Sequence, residues 1–264
     1  VIYDRNGMIL AENKTAFQLE LIPEQVTDID DSLMRLSNLG LIDNESINSI
    51  KTEIQKSQQF KPVTIRTSLT DNEIAKFAVN MPNFSGINLQ PRLIRSYPYS
   101  EATSHVVGYI GSVSKGDLIK LNRSTYDPNE KIGKTGSELF NEDYLHGNPG
   151  FNQFIANARG REIPIKTDSI FLEKKPPEPG SNIYLTVDLE LQKLATELLG
   201  GRKGAVVAID PNNGEILSLV SSPAFNPNIF SNTLTTDEFN ELQSNEDQPL
   251  FNRAVLGTYS PGST

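Results

Sequence analysis

The apolar residues of this 264-residue chain change their spacing several times, and each spacing predicts a different element. Near the N-terminus, Phe17, Leu19 and Leu21 alternate with polar residues, which is typical of a strand with one buried face. Before them, segment 3–11 reads as strand, Asn-Gly turn and strand, because Asn-Gly accepts the positive φ values of a tight hairpin. The chain is therefore predicted to open with β structure.

Helical spacing follows between residues 28 and 81. Leucines three residues apart predict one helix, and isoleucines three and four apart predict a second. Thr70 and Glu73 form a capping-box sequence at the start of a third helix. We therefore predict a small helical unit after the opening strands. The periodic residues of its first two helices are Leu33, Leu36, Leu39, Ile47, Ile50 and Ile54.

The next part of the chain has a mixed pattern. Apolar residues at 87–94 and 105–113 favour strands. A second capping-box sequence, Thr135 with Glu138, predicts one helix that closes near Gly147.

Segment 173–180 contains three prolines, charged residues and a glycine, so it is predicted to be a linker. Beyond it, Asp188 can cap a helix that turns Leu191, Ala195 and Leu198 inward. Two apolar strands are then predicted, at 205–209 and 215–221.

Composition narrows the possible functions. The chain has 24 Lys plus Arg against 33 Asp plus Glu, a formal charge of -9, so it lacks the basic footprint of a nucleic-acid-binding protein. It has no cysteine and only two histidines. We therefore predict no metal site and no cofactor. No apolar run approaches the roughly 20 residues that span a bilayer.

One serine near the end of the chain is a candidate nucleophile. Ser263 follows Pro-Gly and can begin a helix, where the helix dipole favours an alkoxide. A lysine three residues later could serve as its base, but that position lies beyond Thr264. Taken alone, Ser263 is best interpreted as an ordinary helix cap, since serine caps are common.

Several short segments stand together in a recognisable order: Asp4-Arg5-Asn6-Gly7, Arg95-Ser96-Tyr97-Pro98, 105–111, 133–138, 182–192, 208–217, 252–254 and 259–264. In this order they resemble the sequence boxes of class B penicillin-binding proteins, and the elongation type more than the division type. Three serines depart from the family pattern: Ser100 stands where glycine is usual, Ser137 where leucine is common and Ser260 where proline is common.

The resemblance implies an α+β fold. The first domain would be an elongated N-terminal pedestal at 1–175, with a helical head subdomain at 28–85. The beginning of a transpeptidase domain, with an antiparallel sheet and helices, would follow at 181–264. It also implies that the box residues serve structure and not catalysis. These residues are Asp4, Arg5, Asn6, Gly7, Arg95, Tyr97, Pro98, His105, Gly108, Gly133, Gly136, Glu138 and Asp188.

The function implied by the resemblance is that of a peptidoglycan D,D-transpeptidase that acts on stem peptides and is acylated by β-lactams at Ser263. We expect a single-pass anchor in the bacterial inner membrane before Val1, this portion in the periplasm, and the rest of the catalytic domain after Thr264. Without its lysine, this chain alone is expected to be inactive. The implied partners are the SEDS glycosyltransferase RodA and the scaffold MreC. The alternatives are a non-catalytic partner-binding module, a division-type relative and a β-lactam sensor.

Overall fold

The computed structural model describes residues 1–114, 116–117, 131–153, 155, 172–231 and 236–258. Helices and strands both occur throughout, as the α+β prediction requires. Contacts between residues divide the chain into two compact units. Unit 1 comprises Val1–Asn13, Arg95–Phe151 and Lys175–Thr264, and unit 2 comprises Lys14–Ile94 and Asn152–Lys174. The domain boundaries given above for the pedestal and the transpeptidase domain stay a prediction.

The chain opens with a hairpin, as predicted. Strand β1 (Ile2–Tyr3) pairs antiparallel with strand β2 (Ile9–Leu21), and Ile2 lies opposite Ala11. Gly7 has a φ of 83° in the turn between them. The second strand predicted around Leu19 belongs to the same β2, which runs for 13 residues.

Unit 2 contains the three predicted helices, and their spacing is confirmed. Buried residues occur every three or four positions on the first two helices, because these faces pack on one apolar core. The helices are α1 (Ile29–Asn38), α2 (Ser46–Lys56) and α3 (Asp71–Asn80).

Local hydrogen bonds fix where these helices begin. The side chain of Asp28 accepts the N–H of Asp31 at 3.0 Å before α1. The predicted capping box of α3 is present: the N–H of Thr70 donates to Glu73 at 2.8 Å, and the N–H of Glu73 donates to the Thr70 hydroxyl at 3.4 Å. Each bond satisfies a backbone donor that the helix itself leaves unpaired.

The core of unit 2 lies between the helices and its strands. β2 pairs antiparallel with β3 (Val63–Leu69), and β4 (Ile87–Ser96) also pairs with β2. The Phe77 and Phe84 rings lie 5.6 Å apart in this core. The other fully buried members include Leu19, Leu21, Leu33, Leu36 and Leu41.

The remaining elements form two groups along the chain. The first is α4 (Ser104–Val107), β5 (Ile110–Ser112), β6 (Lys131–Gly133), α5 (Gly136–Phe140), α6 (Glu142–Leu145), β7 (Phe151–Asn152) and β8 (Lys174–Lys175). The second is β9 (Ile183–Tyr184), α7 (Leu189–Leu199), β10 (Gly204–Ile209), β11 (Ile216–Ser222), α8 (Asn228–Ser231), α9 (Thr236–Ser244) and α10 (Arg253–Leu256).

Strand pairing in unit 1 joins distant parts of the sequence. β9 lies parallel to β1, with Ile183 beside Ile2. β5 pairs antiparallel with β6. β10 and β11 form the predicted antiparallel pair, with Gly204 opposite Ser222.

Two predictions for the middle of the chain were wrong. The predicted strand at 105–113 is a helical turn followed by the short β5, because Gly108 breaks the run with a φ of 84°. The single helix predicted from Thr135 is two short helices, α5 and α6, separated at Asn141. The predicted capping box is absent there, because the Glu138 carboxylate binds Arg95 and Thr135 makes no side-chain cap.

The predicted Asp188 cap is confirmed, but the inward face of α7 was wrong in part. Asp188 accepts the N–H groups of Glu190 and Leu191. The buried residues of the helix are Leu189, Gln192 and Ala195, whereas Leu198 is 68% exposed. The helix therefore buries a face that contains a polar residue in place of the expected leucine.

Within the part of the chain that the structure describes, every helix is too short or too polar to cross a lipid bilayer.

Truncating Phe77 should destabilise unit 2 strongly. Phe77 is fully buried, so Phe77→Ala is expected to lower the free energy of unfolding by about 3–5 kcal/mol through lost burial and a residual cavity. Val79→Ala is the matched control on the same helix, because Val79 is 81% exposed and its truncation should change stability by about 0.5 kcal/mol or less. Urea unfolding of both variants measures this, and equal losses would contradict the described core.

Candidate functional site

Asp4 joins the opening hairpin to α7. Its carboxylate is fully buried and accepts the N–H of Asn6 at 2.8 Å and of Met8 at 2.7 Å. The second carboxylate oxygen accepts the N–H of Leu189 at 3.2 Å, across 185 residues of sequence. The structure therefore places this acid among backbone donors, where it orders the chain.

The other residues of the first box surround this junction. The Asn6 amide donates to Asp188 at 3.2 Å, which joins the hairpin turn to the cap of α7. Arg5 lies 3.4 Å from Glu215, but both side chains are more than a third exposed, so this pair contributes little to stability. These contacts lower the pKa of the Asp188 carboxyl, chiefly through the backbone N–H of Leu191 and the Asn6 amide.

A buried ion pair joins segment 95–98 to segment 133–138. Arg95 Nε donates to Glu138 Oε1 at 2.7 Å, and the two side chains are 8% and 3% exposed. Arg95 also donates to Asn13 at 3.1 Å. Its remaining nitrogen, Nη2, is buried without a hydrogen-bond partner among the described residues. Removing one charge of such a pair would leave the other buried and uncompensated.

Tyr97 and the turn after it complete the second box. The Tyr97 hydroxyl accepts the N–H of Ile110 at 3.1 Å, and burial followed by the Glu138 charge raises the pKa of this phenol. Pro98 is exposed and begins the turn that leads to Ser100. Ser100 has a φ of 46°, which explains why glycine suits this position in the resembling family.

Glycines allow close backbone packing between segments 105–111 and 133–138 and within segment 133–138. A Cβ at Gly108 would lie 1.9 Å from the carbonyl oxygen of Thr135, and one at Gly133 would lie 2.3 Å from the carbonyl oxygen of Glu138. Gly136 likewise sits against the backbone of Gly108. Only glycine fits this approach. Ser137, a departure from the family pattern, adds a hydroxyl bond to the Val106 carbonyl at 2.9 Å.

Three polar residues that the sequence interpretation missed tie these boxes to the last third of the chain. Gln192 is 1% exposed and makes four hydrogen bonds, to Ala102, Ser218 and both backbone groups of Leu219. Asn228 bonds both the N–H and the carbonyl of Tyr97, at 2.8 and 3.0 Å. Lys131 donates to the carbonyls of Phe230 and Ser231, which lie at the end of α8.

The structure describes the segment that leads in sequence to Ser263 as far as Thr258. Asn252 caps α10 by accepting the N–H groups of Ala254 and Val255. Arg253 Nη1 donates to the Gln248 carbonyl at 3.2 Å, and its backbone N–H donates to the Ser221 hydroxyl at 2.9 Å. Ser263 itself lies outside the described residues, so its environment stays a prediction.

His105 lies where this segment meets the second box. Its ring packs edge-on against Phe225, with ring centroids 5.3 Å apart. Burial lowers the pKa of His105 to about 4; the Pro249 carbonyl opposes this shift and the Arg253 charge adds to it. The ring is therefore neutral at pH 7.

A cavity of about 1020 Å³ opens beside His105 within unit 1. Its wall is mostly apolar. Lys134 reaches it, but this amine is paired with Asp117 at 2.5 Å. The described residues contain no group of three or more metal-ligating side chains. Its lining includes His105, Tyr109, Lys134, Leu219, Phe225 and Asn252.

Comparison with known families accounts for this arrangement of boxes. Residues 1–185 match the family model described as the penicillin-binding protein dimerisation domain. The chain belongs to this family. Residues 204–264 match the penicillin-binding protein transpeptidase domain, so the resemblance found in the sequence is confirmed for both parts of this penicillin-binding protein.

Individual relatives are similar along the whole chain. It is 38% identical to the peptidoglycan D,D-transpeptidase MrdA of Acinetobacter baumannii and 37% identical to that of Escherichia coli K12, with 100% of this chain aligned in each case. It covers 38% and 41% of those two proteins, so it spans about two fifths of the length of the curated relatives it matches.

A solved structure shares the fold. The complex between the penicillin-binding protein PBP2 and MreC from Helicobacter pylori matches with a TM-score of 0.72 and 27% identity, over 96% of this chain and 46% of that chain. This match to a penicillin-binding protein structure supports the assignment of a pedestal domain followed by the beginning of a transpeptidase domain.

Breaking the buried ion pair should cost more than breaking an exposed one. Glu138→Gln leaves Arg95 charged and buried, and is expected to lower the free energy of unfolding by about 3–5 kcal/mol. The exposed pair of Lys51 and Asp30 is the control, and Asp30→Asn should cost about 1 kcal/mol or less.

The double variant Arg95→Met with Glu138→Leu separates charge burial from packing. It should recover part of the loss, because no unpaired charge remains. Chemical denaturation measures all three variants. An effect of Glu138→Gln no larger than that of Asp30→Asn would show that the pair is not buried as described.

Proposed function

We propose that this chain is part of a peptidoglycan D,D-transpeptidase in which Ser263 is the nucleophile. The observation that carries the proposal is the match of residues 204–264 to the transpeptidase family model, because this range contains Ser263 in its Pro-Gly-Ser-Thr sequence. Similarity to two proteins named peptidoglycan D,D-transpeptidase supports it. Among the described box acids, Asp4 accepts backbone N–H groups and Glu138 pairs with Arg95, so both are engaged in structure.

The proposed reaction has two steps. The Ser263 hydroxyl attacks the carbonyl carbon of the penultimate D-Ala of a stem peptide; a base takes its proton, and the terminal D-Ala leaves as the amine is protonated. An amine of a neighbouring stem then attacks the acyl-enzyme and restores the serine. A β-lactam acylates the same hydroxyl when its ring amide opens. The amine that is released stays attached to the acyl group and does not diffuse away.

The base in this proposal is a lysine one helical turn after the serine. That position follows Thr264, so the 264-residue chain lacks it. A serine without its base and oxyanion donors loses most of the stabilisation on which such sites rely. We therefore propose that the chain as given does not form an acyl-enzyme.

The protein containing this chain is proposed to act in cell elongation and cell shape. We place this portion in the periplasm, behind a single membrane-spanning anchor in the inner membrane, because peptidoglycan substrates lie outside that membrane. The family resemblance supports this placement.

Unit 2 is the proposed contact for a scaffold of the MreC type. It contains no catalytic constellation among its described residues, and it exposes apolar side chains at Met34, Val79 and Met81. Exposed apolar residues are common at protein interaction surfaces. The matched Helicobacter structure is a complex with MreC, which supports this partner class. RodA, a SEDS glycosyltransferase, is proposed as a second partner through the family alone.

Replacing Ser263 should abolish acylation. In the full-length protein, Ser263→Ala is expected to remove covalent labelling by a fluorescent penicillin, because no nucleophile remains. Ser260→Ala, three residues earlier in the same segment, is the matched control and should be labelled like the wild type. Gel fluorescence and mass spectrometry of the labelled peptide measure the outcome. Persistent labelling of Ser263→Ala, or stable labelling of the 264-residue chain at Ser263, would contradict the proposal.

Changes on unit 2 should separate partner binding from acylation. Val79→Asp places a charge on an exposed apolar position. It is expected to weaken binding of the cognate MreC-type scaffold about tenfold or more, which is the loss of affinity typical when a residue that carries binding energy is changed. Penicillin labelling should be unchanged. Surface plasmon resonance and labelling are measured on the same preparation. A variant that kept scaffold binding but lost labelling would overturn this assignment of unit 2.

A further inference from the structure

The sequence Asn-Gly occurs twice in the chain, at Asn6-Gly7 and at Asn213-Gly214. Asparagine is among the thermolabile residues of proteins. Before glycine it is especially exposed to attack by the following backbone nitrogen, because no side chain on the glycine shields that nitrogen. The two sites share the same dipeptide, so a difference between their reactivities in the folded protein comes from what surrounds them.

The turn that contains Asn213 lies at the surface and joins β10 to β11. Its exposed residues are Pro211, Asn212, Asn213 and Gly214. The N–H of Gly214 donates to the carbonyl of Asp210 at 2.8 Å. Water can replace a hydrogen bond at such an exposed position, and this frees the Gly214 nitrogen to react.

The side chain of Asn213 is turned toward its own backbone. Its Oδ1 accepts the N–H of Glu215 at 2.9 Å. Negative charge develops on this oxygen when a nucleophile adds to the amide carbon, so the donor stabilises the intermediate. The neighbouring Asn212 differs, because its backbone N–H and its amide nitrogen both donate to Asp210 at 2.9 Å. Asn213 is therefore the asparagine of this turn whose amide carbonyl is activated.

The turn that contains Asn6 is held by a buried acid. The N–H groups of Asn6 and Met8 donate to the fully buried Asp4 carboxylate, at 2.8 and 2.7 Å. The N–H of Gly7 donates to the Asp4 carbonyl at 3.2 Å. The Asn6 amide donates to Asp188, whose carboxylate opposes the negative charge that attack would place on the amide. The fold therefore protects this Asn-Gly sequence.

We propose that Asn213 is a site of spontaneous deamidation, whereas Asn6 is protected. The Gly214 nitrogen gives its proton to hydroxide and forms a bond to Cγ of Asn213. The bond between Cγ and Nδ2 then breaks, the departing nitrogen takes a proton from water and leaves as ammonia, and a succinimide ring remains. Water opens this ring at either carbonyl, which yields aspartate or isoaspartate. The net reaction consumes water and releases ammonia, without oxidation or reduction.

The modification changes the turn in charge and in length. It adds a carboxylate close in sequence to Asp210 and Glu215, and isoaspartate lengthens the backbone by one carbon. The N–H of Asp210 donates to the carbonyl of Glu215 at 2.9 Å across this turn. Beside it, Ile209 lies opposite Ile216 in the pairing of the two strands. The added atom therefore falls inside the closed loop that joins β10 to β11.

The test follows both asparagines in the full-length protein during incubation in mildly alkaline buffer. Mass spectrometry of peptide fragments locates the mass gained when an amide becomes an acid, and methylation by an isoaspartyl methyltransferase reports isoaspartate. In the folded protein, Asn213 is expected to react about tenfold faster than Asn6 or more, because reaction at Asn6 requires its turn to open locally. In concentrated urea the two should react at comparable rates, since the same dipeptide is then free at both positions.

Asn213→Gln is the matched variant. Glutamine would have to close a larger and less favourable ring, so the mass gain in this turn should disappear while reaction at Asn6 is unchanged. A gain that persists at Asn212 would overturn the assignment to Asn213. Equal rates at Asn6 and Asn213 in the folded protein, or the same ratio of rates in urea as in buffer, would overturn the protection by the fold.

Discussion

The ion pair between Arg95 and Glu138 is the constraint on which the arrangement of unit 1 depends. Two charges withdrawn from water are tolerated only when they meet with good geometry, and these two lie 43 residues apart in the sequence. The pair therefore requires the end of β4 and the helix α5 to occupy fixed positions. Gly108 and Gly133 let the backbone that carries Glu138 pack closely, since a Cβ at either position would overlap the carbonyl of Thr135 or of Glu138.

Polar side chains extend this arrangement to the last third of the chain. Gln192, Asn228 and Lys131 bond to backbone groups of segments far from them in sequence. Nearly every residue carries both backbone groups. Such bonds therefore fix the path of the chain without requiring a particular residue type at the partner position. Asn228 and Lys131 thus join residues matched by the first family model to residues matched by the second, within unit 1.

The helices of unit 2 could be predicted because their apolar stripes face a single local core, so spacing alone determines the buried positions. Prediction failed where a distant partner decided the outcome. Glu138 has the spacing of a capping residue but binds Arg95. Residues 105–113 have strand-forming side chains, yet the close approach of Gly108 to Thr135 breaks the run. Partners such as Asn228 and Lys131 lie outside the family boxes, and their contacts depend on tertiary packing that no local pattern records.

The parallel pairing of β1 with β9 has a consequence for how the protein acquires its fold. Ile2 can find Ile183 only after about 180 residues of chain have been made, and at typical rates of synthesis this takes roughly 10–40 s. Until then the first strand has one of its edges unpaired and is open to wrong pairing. Unit 2, whose contacts are local, can fold during that interval. The early segments of unit 1 thus depend on the late ones, so a chaperone that keeps the first strand from pairing wrongly would favour folding.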